Sequence, residues 1–204
     1  MKSFRLGGEA RRLAVAAVVA WALAGPASAH TGTGLPGGFA SGFLHPLSGA
    51  DHMLAMISVG LWGAFLGRPL VYALPVIFPT VMAFGAALGM ANIPLPPVEL
   101  GIALSVLLLG GAILLAARPP IWAASLIVAV FAVFHGYAHG KELPSAADPI
   151  GYAAGFMLAT GLLHLFGIGV GALNDIPHGR VMTRSIGGAI AAAGVVFLSK
   201  AIGA

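Results

Sequence analysis

The sequence contains no cysteine, and only 8% of its 204 residues are charged. The first absence excludes disulfides and thiolate metal sites, so a metal ion bound here must use nitrogen, oxygen or thioether ligands. The second excludes a soluble fold. Soluble domains carry about 25% charged residues, and a chain of this size that is 59% hydrophobic cannot hide its apolar surface from water. It reads as an integral membrane protein, all-α, a polytopic helix bundle. Three motifs are also missing. There is no nucleotide-binding P-loop, so ATP coupling would require another protein, and there is no H-E-x-x-H or G-x-S-x-G to mark a hydrolase.

Basic charge is concentrated at the start. Lys2, Arg5, Arg11 and Arg12 precede the apolar run Leu13–Ala24, and Gly25-Pro26-Ala27-Ser28-Ala29 follows. A basic segment, a short apolar segment and an Ala-x-Ala site form the pattern of a signal peptide over residues 1–29. Cleavage after Ala29 would leave His30 first, where a free α-amine beside the imidazole can chelate a divalent ion. Beyond residue 29, six Lys/Arg face five Asp/Glu, a net charge of +1. The high isoelectric point therefore says nothing about nucleic acid, and no basic patch points to it.

Residues 30–204 read as one permease-sized domain. Apolar runs fall at about 39–67, 70–91, 98–117, 120–140, 149–173 and 183–203. About 20 helical residues cross a bilayer core, so five runs fit one crossing each. The first is too long, and Pro46 with Gly49 should break it, giving a short segment to Leu47 and a spanning helix from about Ser48. Six crossings from an external start put Arg68, Arg118, Arg180 and Arg184 in the cytoplasm and leave Lys141 and Lys200 outside, the positive-inside bias. Both termini are then periplasmic, in a bacterial inner membrane.

Four of the seven histidines and two of the six acids lie in two short stretches, His45-Pro-Leu-Ser-Gly-Ala-Asp51-His52 and His135-Gly-Tyr-Ala-His139-Gly-Lys-Glu142. Ionisable groups in a membrane cost roughly 2.5–3.5 kcal/mol each at the bilayer centre, which makes them functional candidates. His135, His139 and Glu142 are spaced i, i+4, i+7 and share one helical face. The six-crossing topology brings the end of that helix and the start of the first spanning helix to the same outer level. Imidazole and carboxylate together suit divalent cations. Ser48 and Asp51 also fit a capping-box variant, in which Asp51 is only a cap. Met56, i+4 from His52, offers a thioether, though methionines in apolar helices usually pack. His164 lies deep in the fifth crossing and is a candidate for a translocation path, with Thr160 and Ser105 as further polar residues. His178 reads as solvated.

His45-Pro-Leu-Ser-Gly-Ala-Asp51-His52-Met-Leu-Ala-Met resembles the signature of the HupE/UreJ family of nickel permeases. Phe134-His135-Gly-Tyr-Ala-His139-Gly-Lys-Glu142 resembles its second motif. The resemblance covers nearly the whole chain after residue 29. It implies uptake of nickel, in some members cobalt, for hydrogenase or urease maturation. The motif residues map onto His45, Asp51, His52, His135, His139 and Glu142. No prosthetic group is implied: the ion, Ni²⁺ or Co²⁺, is the substrate, and its partner is the lipid bilayer. Homo-oligomerisation is left open. Uptake should weaken below about pH 6 as histidines protonate. The alternative from another class is a membrane-embedded zinc hydrolase, with the same cluster activating water and Glu142 as base.

Overall fold

The computed structural model describes residues 38–142 and 148–203, and of Glu142 the backbone alone. The expected signal peptide and His30 lie outside the described residues. Every regular element among the described residues is helical: α1 (Phe39–Ser48), α2 (Ala50–Leu66), α3 (Leu70–Met90), α4 (Val98–Leu114), α5 (Ile121–Glu142), α6 (Pro149–Gly171) and α7 (Gly179–Gly203). A 3₁₀ turn, Ala172–Asp175, extends α6. This is a polytopic membrane protein. Four helices (α3, α5, α6 and α7) are long and apolar enough to cross a bilayer, and α1 with α2 meets the same test as a pair bent by 85°. α4 is shorter, 17 residues, or about 25 Å of helix.

The break in the first apolar run differs in detail from the expectation. Pro46 lies inside α1, which continues to Ser48. Proline there removes a single backbone bond, to the Gly42 carbonyl, and this does not end the helix. The chain turns at Gly49, whose backbone is extended between the two helices. α7 also begins four residues earlier than the apolar run suggested. The capping box does not form: Ser48 Oγ donates to the His45 carbonyl at 2.6 Å, and α2 has no side-chain cap.

Helix packing is dominated by the pairs α3–α5, α4–α7, α2–α6 and α1–α6. Without a hydrophobic drive between helices in lipid, close backbone approach through small residues supplies the attraction. Gly136 and Gly140 of α5 rest on the carbonyls of Met82 and Ala86 in α3, and Gly85 and Gly89 of α3 answer against Val133 and Tyr137. A Cβ at any of the four would collide with a backbone oxygen. Gly60 and Gly167 join α2 to α6 in the same way, and Gly110, Gly187 and Gly194 join α4 to α7. Trp62, Phe78, Met56, Leu61 and Leu109 are fully buried in the apolar core between these pairs.

α4 ends with Ala116 at φ 55°, and Ala117 N–H donates to the Ala112 carbonyl at 2.8 Å. This is a Schellman-type ending with alanine where glycine is favoured. An L-residue in that region costs roughly 1–2 kcal/mol. Ala116→Gly is therefore expected to raise the midpoint of thermal unfolding in detergent by a few degrees. A lower midpoint would refute this account of the ending.

Candidate functional site

The two histidine stretches meet. α1 lies on α6 because Gly42 and Gly155 let the two backbones touch, through Tyr152 and Phe39. That contact sets His45 beside Tyr152 and Phe156, with ring centroids 5.8 and 6.1 Å away. The turn at Gly49 then brings Asp51 and His52 onto the first turn of α2. From α5, His135 and His139 point into the same space because Gly136 and Gly140, on the adjoining face, lock that helix onto α3. The His-Gly pairs, repeated at an interval of four, thus aim one face at the site and the next at a neighbouring helix.

Four imidazoles form a row. His45 meets His139 at 4.9 Å between ring centroids, His139 meets His52 at 4.6 Å, and His52 meets His135 at 4.8 Å, each edge to face. The two α5 members are the more buried: His45 and His52 are partly exposed, whereas His139 is 5% exposed and His135 fully buried. Asp51 Oδ1 accepts from the His52 backbone N–H at 2.7 Å and pairs with His52 Nδ1 at 2.8 Å. That pairing orients the ring and leaves Nε2, which is buried and has no hydrogen-bond partner. A carboxylate holding one ring nitrogen while the other is turned to an open position is the arrangement found behind metal-ligating histidines. His135 Nε2 pairs with Ser105 Oγ at 3.0 Å, and its Nδ1 is likewise buried without a partner.

Among the described residues, no group of three or more His, Asp or Glu side chains is arranged to hold an ion as it stands. With rings edge to face, joint ligation requires at least one imidazole to turn about its side-chain torsions. Glu142 follows His139 by three residues on α5, and its side chain lies outside the described residues. Met56 is fully buried in the apolar core. His178 has φ 61°, just ahead of α7. His164 is 1% exposed and lies inside the bundle.

The aromatic residues around this row belong to neither histidine motif. Phe156 packs on His139 at 4.3 Å, and Phe78 lies 5.4 Å from both His135 and His164. For Phe156 the signal is the i+4 series Tyr152, Phe156, Thr160, His164, which places all four on one stripe of α6. At the other end of the bundle a cavity of about 410 Å³ opens between Phe65, Arg68, Arg118, Gly171, Asp175 and Arg180.

Fold and site together define a helical, polytopic membrane protein with imidazoles and a carboxylate gathered where three helices, α1, α2 and α5, meet. The chain belongs to the HupE/UreJ family, whose model, described as HupE / UreJ protein, matches residues 17–197. It is similar to "Protein HupE" of Rhizobium leguminosarum bv. viciae, 44% identical over 178 residues, which cover 87% of this chain and 93% of that relative. No solved structure matches it.

Proposed function

We propose that this protein takes up divalent nickel, or cobalt, from the periplasm into the cytoplasm as a secondary-type permease of the bacterial inner membrane. The single observation that carries the reading is His52: Asp51 fixes one ring nitrogen, and the other is buried, unpartnered and directed among His135 and His139. Family membership supports the same conclusion.

In this reading the ion enters where α1, α2 and α5 meet. His45, Asp51, His52, His135, His139 and Glu142 replace part of its water shell. Imidazole and carboxylate match a borderline divalent cation, yet copper binds such ligands more tightly, so selectivity rests on geometry and on which metal is available. Six crossings, with α4 as the short one, put both termini outside and Arg68, Arg118, Arg180 and Arg184 inside. His30, if it becomes the first residue, adds an amine and an imidazole as further ligands. The protein is then not an enzyme. Buried Ser105, Thr160 and His164 favour a route across the bundle over a hydrolytic site sealed beneath.

The direct test is ⁶³Ni accumulation in cells making the full chain, against cells carrying an empty vector. Accumulation should rise severalfold and should be competed by unlabelled cobalt more strongly than by magnesium, which prefers oxygen ligands. Accumulation equal to the vector control, with the protein shown to be in the membrane, would sink the transport reading.

A further inference from the structure

Beyond the outer cluster, the bundle contains a second polar set. His164 and Thr160 lie one turn apart on α6, hence on one face. They are 1% and 0% exposed. Neither ring nitrogen of His164 completes a hydrogen bond of normal geometry, and Thr160 Oγ1 has no partner. A buried, unmade hydrogen bond costs about 1–3 kcal/mol per group, so two adjacent residues in this condition require an explanation.

A third polar group comes from α3. Pro75 stands on α3 about one turn before Phe78, whose ring lies 5.4 Å from that of His164. In a regular helix the Pro75 carbonyl would accept from the N–H of residue 79, but residue 79 is proline and has none. Pro75 and Pro79 both lie inside α3, so the helix passes through the bundle with a backbone oxygen released from its own ladder at the level of His164. Non-regular backbone at membrane depth is tolerated where it lines a cavity or is buried in protein, and here it lies about one turn from Phe78, which packs on His164.

We infer that His164, Thr160 and the Pro75 carbonyl form a second, inner station for the divalent cation, linked to the outer cluster through the ring of Phe78. The inference rests on the transport reading and deepens it. Phe78 lies 5.4 Å from the rings of both His135 and His164, so the two stations share one aromatic neighbour. From His164, seven residues of α6, about 10 Å of helix, lead to Gly171 on the wall of the Arg-lined cavity. The inner ligands are neutral, whereas the outer cluster includes Asp51. The inner station therefore holds a doubly charged ion less tightly, which lets it pass on.

The test uses the full chain in proteoliposomes and measures two quantities with ⁶³Ni: equilibrium binding to the outer cluster, and the rate of uptake at saturating metal. His164→Ala should leave outer binding within about twofold of wild type and lower the maximal uptake rate tenfold or more. Thr160→Val, which keeps the side-chain shape, should lower it severalfold and decides the matter if the alanine variant does not accumulate. Because the chain has no cysteine, His164→Cys would introduce its sole thiol, a soft ligand that retains Cd²⁺. Uptake by that variant should be blocked by cadmium at concentrations wild type tolerates. Wild-type maximal rates in folded His164→Ala, or in Thr160→Val when only that variant folds, would overturn the inner station. So would a loss of outer binding that accounts for the whole fall in rate. Absence of uptake by the wild-type protein would instead overturn the transport reading itself.

Discussion

Cells making His52→Ala are expected to lose ⁶³Ni uptake almost to the vector background, at unchanged amounts of protein in the membrane. His52 touches both His135 and His139, so its removal interrupts the row between the two α5 histidines. Asp51→Asn is a finer form of the same test. The amide keeps the shape of the carboxylate but loses its charge and offers an N–H toward His52 Nδ1, which can rotate the ring or change its tautomer. Losing such a supporting partner typically costs ten- to a hundredfold in metal affinity or activity. Uptake should fall by that range in Asp51→Asn. If Asp51→Asn instead retains wild-type uptake while His52→Ala does not, the carboxylate serves only the local backbone.

Gly140→Leu, and equally Gly136→Leu, should prevent a folded bundle from accumulating. A Cβ at either position would enter the space of a backbone carbonyl of α3. Backbone cannot swing aside as a flexible side chain does, so the helices must separate along their length. Overpacking in a tight interface costs about 1–3 kcal/mol and occasionally more; two interdigitated pairs of glycines along one seam put this case at the upper end. The check is the monodisperse peak in size-exclusion chromatography of the detergent-solubilised protein, which should collapse into aggregate. By contrast Gly111→Ala, where a Cβ meets nothing, should leave the peak intact. A monodisperse Gly140→Leu would show that α3 and α5 are held by something other than backbone contact.

The sequence shows where the helices run because in this chain hydrophobicity and proline or glycine punctuation change together. Arg68-Pro69, the run from Asn92 to Pro97, and Arg118-Pro119-Pro120 each interrupt an apolar stretch, and each separates two helices. The convergence of His45, Asp51 and His52 with His135 and His139 was legible as well, since alternating crossings leave one arrangement of their ends. The position of the break in the first run was not. Proline at 46 and glycine at 49 both disrupt helices, and only the packing of α1 on α6 decides that the chain turns at the second. Of the inner polar set, His164 and Thr160 were legible as buried polar residues of one helix, but the part played by α3 was not. Pro75 and Pro79 look like interruptions on paper, and the carbonyl they release acquires meaning only when another helix sets a histidine near it.

The glycine contacts divide the bundle into stiff blocks. α3 and α5 are interlocked backbone to backbone, as are α4 with α7 and α6 with α1 and α2. The imidazole row belongs to no single block: His45 and His52 come from one, His135 and His139 from another. An ion shared by His52 and His139 would therefore act as a removable rivet across the joint between two rigid plates. Gaining it would draw the plates together, and losing it would free them.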